Sequence, residues 1–214
     1  MTIQWYGQSC FKINSPGGHL TVVTDPFDKS IGLTPPRISA DIVTVSHDHF
    51  DHNNIKTVSG DPFVINMPGE YEVKGVKIIG VNSFHDNEQG KERGSNTIYL
   101  IEMDDLTVCH LGDFGEETLS PNQLEALNTV NILIIPVGGV YTIDASKAGK
   151  IIKQVEPNIV IPMHYKIKGL KVDLDGVDKF TKEMGMEKTT PVNKFTVKKK
   201  DLNSKKMEVV LMKP

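Results

Sequence analysis

The feature that most constrains the fold of this chain is the segment SHDHFDH, residues 46–52, which directly follows a short apolar run. Five of its seven residues are histidine or aspartate, and the run at 42–45 is typical of a buried strand. Burying so many polar groups at the end of a strand is unfavourable unless another group neutralises them. The segment therefore predicts a buried strand that leads into a ligand-binding turn.

Most of the other histidines also follow apolar runs. Of the seven histidines, only His19 falls in an obvious surface turn, and the other six lie at or near the carboxyl end of a run. His85, His110 and His164 follow three further runs, and Asp113 comes shortly after His110. The carboxyl ends of strands gather at one rim of a sheet, where ligand sites in α/β folds commonly form. We therefore expect four segments to bring imidazoles and carboxylates together.

A divalent cation is the group that such a cluster is suited to hold. Neutral imidazoles and carboxylates are the ligands that Zn²⁺ and similar ions prefer. His47 and His49 point to the same side of an extended backbone, whereas Asp51 and His52 follow the turn and face a second position. The spacing therefore supplies ligands for two divalent ions. Zinc is the first choice, and manganese and iron stay open because nitrogen and oxygen ligands discriminate poorly between metals.

The secondary-structure pattern predicts an α/β fold. Short strands and turns fill the first hundred residues, beginning with a predicted strand at 5–13 that returns at 20–23 after a turn. Residues 122–163 alternate helix, strand, helix and strand, and a third helix is predicted at 178–184. Ser120 and Asp144 are suitable N-caps for helices at 122–128 and 145–155. We expect a layered sheet core with helices outside.

Charge and hydropathy argue against two classes of partner. The formal net charge of −3 is unfavourable for a protein that mainly binds nucleic acid. No window reaches the roughly 18 apolar residues of a membrane span, and the first residues lack the pattern of a signal peptide.

Cys10 and Cys109 make no disulfide framework and are predicted to be buried thiols. The expected location is the cytoplasm.

A basic stretch lies near the end of the sequence. Lysines at 198–200 and 205–206 stand between two alternating runs at 195–197 and 207–212. This pattern predicts a hairpin whose charged tip blunts an edge strand. The alternative is a patch that attracts anions or nucleic acid.

The order of the polar residues resembles that of the metallo-β-lactamase fold superfamily. The resemblance rests on the HxHxDH element at 47–52, followed by His85, Gly112-Asp113 and His164. Further segments look like the small bacterial metal-dependent hydrolases related to ascorbate-6-phosphate lactonase: WYGQSCFKI at 5–13, DPF at 25–27, HLGD at 110–113, PVGG at 136–139 and IPMHY at 161–165. The resemblance spans nearly the whole chain. It implies a single domain, 1–214, built as an αββα four-layer sandwich of two mixed sheets with helices outside.

The resemblance also implies a role for each polar residue. It implies that a first metal is bound by His47, His49 and His85. A second metal is then bound by Asp51, His52 and His164, and Asp113 binds both metals. Asp25 is expected to orient a ligand imidazole, or else to be a turn residue. His110 is either a group near the ligands or substrate, or a buried structural histidine. Gln8 stands where many relatives have histidine, which implies altered substrate contacts at most.

Two residues are candidates for contact with substrate. Arg93 lies in the segment 86–96, a predicted flexible loop at the edge of the site, where it is suited to bind an anionic group. The alternative is that its charge is simply solvated. Tyr141 follows another strand end and is expected to line the pocket, unless it belongs only to a tight turn.

The favoured function is hydrolysis. Two ions that share a water lower its pKa toward about 7 and supply a hydroxide nucleophile, which Asp51 is placed to orient as the catalytic carboxylate. The expected substrate is a small ester, lactone or phosphodiester, with an anionic group among the options. The alternatives are a metal-binding protein without turnover and a nuclease. No nucleic acid or membrane partner is expected, and the oligomeric state, a homo-oligomer included, stays open.

Overall fold

A computed structural model describes residues 1–186, 189–202 and 206–214 of the 214-residue chain. Within these residues we number fifteen strands and three α-helices in chain order. The strands are β1 Thr2–Trp5, β2 Phe11–Asn14, β3 Thr21–Thr24, β4 Ile38–Ser39, β5 Ile42–Thr44, β6 Val58–Ser59, β7 Phe63–Ile65, β8 Gly69–Val73, β9 Val76–Phe84, β10 Ser95–Met103, β11 Leu106–His110, β12 Ile132–Pro136, β13 Ile159–Met163, β14 Phe195–Thr196 and β15 Glu208–Val209. The helices are α1 Pro121–Ala126, α2 Ala145–Val155 and α3 Val177–Glu183.

The strands form two large mixed sheets. The first has the order β14-β1-β2-β3-β5-β7, and its strands β3, β5 and β7 are parallel. The second has the order β15-β13-β12-β11-β10-β9-β8; it is antiparallel from β8 to β11 and parallel from β11 to β15. The short strands β4 and β6 pair separately. Two mixed sheets are what the resemblance to the metallo-β-lactamase fold implied, and the structure has few helices beside them.

The core lies between the two sheets. Alternating side chains of the first sheet, such as Ile3 and Ile13, join Ile78 and Ile98 of the second in one cluster that is fully buried. Burying an aliphatic side chain of this size contributes about 1.5–3 kcal/mol. This packing holds the carboxyl ends of β5, β9, β11 and β13 in a fixed relation to one another.

The helices cover the outer side of the second sheet. The Ser120 hydroxyl accepts a hydrogen bond from the Gln123 amide at the start of α1, and Asp144 accepts one from the Lys147 amide at the start of α2, as predicted. Helix α1 packs on β9, α2 on β12 and α3 on α2. On the outer side of the first sheet, 3₁₀ turns and loops supply the buried side chains that cover Val23 and Val43: Phe27, Ile31, Leu170 and Leu174.

One predicted strand is wrong, and the error affects the site. Residues 5–13 do not run as a single strand; β1 ends at Trp5, β2 begins at Phe11, and the two pair as antiparallel neighbours. Gly7 and Gln8 have φ values of 102° and 52°, which an extended strand does not allow. The Cys10 amide donates to the Gly7 carbonyl across 3.0 Å and closes the turn.

The predicted C-terminal hairpin is also wrong. Strand β14 pairs with β1 in the first sheet, whereas β15 pairs with β13 in the second. Strands β14 and β15, which come from the two alternating runs, are therefore edge strands of different sheets and do not pair with each other. Lys205, which was part of the predicted hairpin tip, lies outside the described residues. No helix in the described part of the chain combines the length and apolar character needed to cross a membrane.

Candidate metal centre

Four strand ends of the two sheets converge on one site. The turn after β5 carries His47, His49, Asp51 and His52. The segments after β9, β11 and β13 each add one residue, namely His85, Asp113 and His164. Except for His49 and Asp51, these residues are buried. The predicted convergence at one rim is therefore what the fold produces.

The centre of the cluster is one oxygen of Asp113. Its Oδ2 lies 3.2 Å from Nε2 of His52, 3.2 Å from Nε2 of His164 and 3.3 Å from Nε2 of His85. Nε2 of His47 is 3.9 Å from the same oxygen. Four imidazoles thus direct nitrogens at a single buried carboxylate.

Three groups of residues have ligand atoms close enough to share an ion. In each group the ligand atoms lie within 4.8 Å of one another, and the groups are His47, His49 and His85; His47, His52 and Asp113; and Asp51, His52 and His164. The first and third groups have the membership that the sequence analysis assigned to the first and second metals. Asp113 joins one histidine from each of them. That these seven residues bind metal stays a prediction.

The donor set fits a divalent cation. Several buried imidazole nitrogens of the described residues have no hydrogen-bond partner, namely Nε2 of His47 and His52 and Nδ1 of His85 and His164. In the described part of the chain, the ion-pair partners of Asp113 are all histidines, with no lysine or arginine among them. Orphaned buried nitrogens are costly, and a bound Zn²⁺-like ion would remove that cost for the two that face Asp113, Nε2 of His47 and of His52.

The two carboxylates dominate the charge states of the cluster. Burial, reinforced by the charge of His52, lowers the pKa of His47 to about 3, so its imidazole is neutral at pH 7. Burial opposes ionisation of Asp113, but His164 and His52 outweigh it and hold the pKa well below its usual range. Burial likewise opposes protonation of His52, yet Asp113 and Asp51 raise its pKa well above the ordinary value. The carboxylates therefore attract positive charge strongly.

Asp25 makes the contact that was predicted for it. Its Oδ2 accepts a hydrogen bond from His52 Nδ1 at 2.9 Å and another from the Ser46 hydroxyl at 2.6 Å. Its Oδ1 accepts from the Ser46 amide at 2.8 Å. The Ser46 hydroxyl in turn lies 3.0 Å from His47 Nδ1. These bonds place the protons on Nδ1 and leave Nε2 of both histidines facing the cluster.

Asn96, which the sequence analysis did not select, holds the loop that carries Asp113. Its Oδ1 accepts from the Asp113 amide at 2.9 Å, while its Nδ2 donates to Leu111 O at 2.9 Å and to Ser83 Oγ at 2.7 Å. Gly112, which lies between Leu111 and Asp113, has φ 58°, and a Cβ at this position would collide with Asn96 and Ser46. The pair Gly112-Asp113 was a visible signal, but nothing local in the sequence pointed to Asn96.

His110 has no nitrogen left for a substrate. Its Nδ1 accepts from the Gly112 amide at 3.2 Å, and its Nε2 donates to the Ser9 carbonyl at 2.9 Å. The ring is fully buried and packs edge-on against Phe11. The structure therefore favours the interpretation of His110 as a buried structural histidine that supports the Asp113 loop.

An open pocket of about 760 Å³ lies above the cluster. Five members of the cluster line the pocket: His49, Asp51, His85, Asp113 and His164. The rim of the pocket includes Arg93 and Tyr141, the two predicted contact residues. It also includes three side chains that the sequence did not indicate, those of Phe50, Lys171 and Val172. The guanidinium carbon of Arg93 lies 6.0 Å from the centre of the Tyr141 ring. Lys171 follows His164 in the segment after β13, but no local pattern placed its side chain at the pocket.

The loop that carries Arg93 is organised by one buried carboxylate. Asp86 accepts hydrogen bonds from the amides of Glu88, Gly90, Glu92 and Arg93, over 2.7 to 3.0 Å. Although burial opposes it, these backbone donors lower the pKa of Asp86 to about 2. The loop lies at the edge of the site, as predicted, and Asp86 gives it a defined conformation.

Known proteins share this architecture. A family model described as the beta-lactamase superfamily domain matches residues 2–164. A metal-dependent hydrolase from Thermococcus onnurineus is 28% identical over 194 residues, 76% of this chain and 84% of the relative. A solved structure of a proposed Zn-dependent hydrolase of the metallo-β-lactamase superfamily from Thermotoga maritima is 38% identical and covers 99% of this chain and 97% of its own, with a TM-score of 0.79. An isothiocyanate hydrolase from Delia radicum gut bacteria, 14% identical, has the same fold, with a TM-score of 0.71 over 92% of this chain and 99% of that one. The predicted fold class is confirmed.

Proposed function

This chain belongs to the metallo-β-lactamase superfamily, and from that premise we propose that it is a metal-dependent hydrolase of a small ester, lactone or phosphodiester. The observation that carries the proposal is the set of four imidazole nitrogens around Asp113 Oδ2, beneath an open pocket. A purely structural polar cluster would have its nitrogens satisfied by other groups of the protein, whereas several here are not.

The proposed cofactor is a pair of divalent ions, with zinc favoured because most of the donors are imidazoles. His47, His49 and His85 hold the first ion, and Asp51, His52 and His164 hold the second, while Asp113 contributes to both. The grouping of ligand atoms within 4.8 Å supports this division.

The chemistry divides between the ions and the side chains. When bound, two such ions lower the pKa of a water toward about 7 and polarise the oxygen of the bond to be cleaved. Burial would raise the pKa of Asp51, but His52 holds it below its usual range, so the carboxylate is ionised at neutral pH. Asp51 lines the pocket, where it accepts a hydrogen bond from the attacking water and passes the proton to the leaving group. Asp25 keeps the His52 ring in one orientation.

The pocket suits a small molecule. Its volume lies within the range of about 300–1,000 Å³ that is usual for small-ligand sites. Phe50 and Tyr141 offer apolar surface, and Arg93 and Lys171 offer positive charge for an anionic group of the substrate. The relation to the lactonase branch stays a prediction.

Metal analysis and a substrate panel test the proposal together. The purified protein is expected to bind two equivalents of Zn²⁺ and to hydrolyse at least one lactone, carboxylic ester or phosphodiester, with the activity lost on chelation and restored by metal. Asp51→Ala is expected to lower kcat on the order of 10²- to 10⁴-fold, because a positioned proton-transfer group contributes about that much. Asp41→Ala is the matched control, since Asp41 is a surface aspartate paired with Lys74.

The alternatives predict different results. Two bound ions without turnover on any substrate class would favour the metal-binding protein that does not catalyse. Activity confined to RNA would favour the nuclease. Either result would overturn the proposal of a small-molecule hydrolase.

A further inference from the structure

Gln8 occupies a fixed and strained place beside the cluster. It is fully buried in the turn between β1 and β2, with φ 52°. Its carbonyl oxygen accepts hydrogen bonds from the Trp5 indole at 2.9 Å and from the His164 amide at 3.2 Å. His164 itself has φ 51°, so two residues in the left-handed region are tied together through their backbones. The side chain of Gln8 therefore projects toward the cluster from a rigid base.

The carboxamide of Gln8 touches two members of the second ligand group. Its Nε2 lies 2.9 Å from Asp51 Oδ2 and 2.9 Å from His164 Nε2. The other end of the same amide, Oε1, is buried and has no hydrogen-bond partner in the described part of the chain. A carbonyl oxygen is rarely stranded in this way in a protein interior.

The orphaned Oε1 is explained if the amide can turn either of its ends toward the cluster, the NH₂ group when no cation is bound and the oxygen when one is. Without a cation, its two N–H groups satisfy the lone pairs of Asp51 and His164. Those are the lone pairs that a cation uses, so a bound ion removes the acceptors of the NH₂ group. A half-turn about the Cγ–Cδ bond then brings Oε1 inward, where it meets positive charge.

The distances agree with this assignment. Because nitrogen and oxygen ligands of zinc lie about 2.0–2.2 Å from the ion, two ligand atoms of one ion are at most about 4.4 Å apart. The inner end of the Gln8 amide lies 2.9 Å from an atom of Asp51 and 2.9 Å from an atom of His164. It is therefore close enough to both atoms to share an ion with them.

We propose that Oε1 of Gln8 is an additional ligand of the second ion, beside Asp51, His52 and His164. The proposal rests on the proposed function, because it requires that this group binds a metal. It gives Gln8 a direct part in metal binding, a larger role than the altered substrate contacts expected from the sequence.

Calorimetric titration of the demetallated protein with Zn²⁺ tests the proposal without reference to activity. Wild type is expected to bind two ions. Gln8→Leu, which fills the space without an oxygen, is expected to weaken one of the two binding events by at least about 10-fold, the least that loss of a group behind the ligands costs, and to leave the other unchanged. Gln8→Glu keeps an oxygen and is expected to retain both events. Gln4→Ala, on the adjoining strand β1, is the control for replacing a glutamine close to this turn.

Circular dichroism and thermal melting establish that each variant is folded before the comparison is made. Gln8→Leu that binds both ions like wild type overturns the proposal, and so does Gln8→Leu that binds the second ion more tightly, because the amide then competes with the ion. Weakening in both Gln8→Leu and Gln8→Glu also overturns it, since the oxygen alone is then insufficient. A wild-type protein that binds no ion overturns the proposed function itself, which separates the two failures.

Discussion

The floor and the rim of the pocket are built in different ways. We call the buried members of the histidine and aspartate cluster beneath the pocket the floor: His47, His52, His85, Asp113 and His164; each is at most 8% exposed. We call Phe50, Arg93, Tyr141, Lys171 and Val172 the rim; Phe50 is 57% exposed and Tyr141 42%. Buried hydrogen bonds from several strand ends fix the floor, whereas a single carboxylate, Asp86, organises the loop that carries Arg93.

This difference separates chemistry from recognition. Groups that are held by buried hydrogen bonds do not need to reorganise when substrate arrives, and such preorganisation is what catalytic and metal-binding groups require. Exposed side chains on a loop can adapt, and they tolerate substitution. We therefore expect changes in the floor to affect stability and metal binding, and changes in the rim to affect substrate preference.

The largest effect is expected from Asp25, which supports the floor. Asp25→Ala leaves the amide and hydroxyl of Ser46 and Nδ1 of His52 without their buried acceptor. We expect the free energy of unfolding to fall by about 3–5 kcal/mol. Urea unfolding of the demetallated protein measures this loss.

Asp41→Ala is the control for the change at Asp25. Asp41 also accepts a backbone hydrogen bond, from the Thr21 amide, but it is partly exposed and pairs with Lys74 at the surface. Its removal is expected to cost only about 1 kcal/mol. Equal losses in the free energy of unfolding for Asp25→Ala and Asp41→Ala would contradict the idea that buried hydrogen bonds hold the floor more firmly than contacts at the protein surface.

A smaller effect is expected from Asp86, which supports the rim. Asp86→Ala removes the acceptor of four backbone amides in the loop. We expect a loss of about 1–3 kcal/mol, faster proteolysis within 87–94, and a change in KM with unchanged metal stoichiometry. Glu88→Ala is the matched control, because only the backbone of Glu88 bonds to Asp86. Loss of a metal ion in Asp86→Ala would show that rim and floor are coupled.

The same carboxylate predicts a pH dependence of the rim. The folded state lowers the pKa of Asp86 to about 2, so its contribution is complete above the unfolded value of about 3.9 and disappears as the pH falls toward 2. The amide proton resonances of Gly90 and Arg93 are expected to titrate with a midpoint near 2. A midpoint near the ordinary aspartate value would mean that the four bonds do not persist in solution.

The smallest effect is expected from Arg93 at the mouth of the pocket. Arg93→Ala removes one partly exposed charge, which is worth about 0.5–1 kcal/mol. We expect KM for an anionic substrate to rise about two- to fivefold with kcat nearly unchanged. Arg93→Lys is expected to keep most of the affinity, and a neutral analogue is expected to be insensitive. An equal rise in KM for the neutral analogue would argue against charge recognition by this residue.

Prediction from the sequence succeeded where periodicity and local order carry the information. The alternation of helix and strand after residue 121 and the caps at Ser120 and Asp144 are confirmed. The fold class and the convergence of the histidine-bearing strand ends are confirmed too. The strand predicted at 5–13 failed, because an apolar run does not reveal that Gly7 and Gln8 leave the extended region. Asn96 and Asp86 gave no signal, since a lone asparagine in a strand or a lone aspartate in a loop is ordinary.

The sequence by itself determined which strands end in imidazole and carboxylate groups, and hence that one rim of the fold is suited to bind divalent cations. Only the tertiary structure decided how those groups are held. The contacts of Asp25 with His52, of Asn96 with Asp113 and of Gln8 with His164 join residues 27, 17 and 156 positions apart. Hydrophobic periodicity records which face of a strand is buried, but the direction and partner of a buried hydrogen bond depend on how distant turns meet once the two sheets have packed.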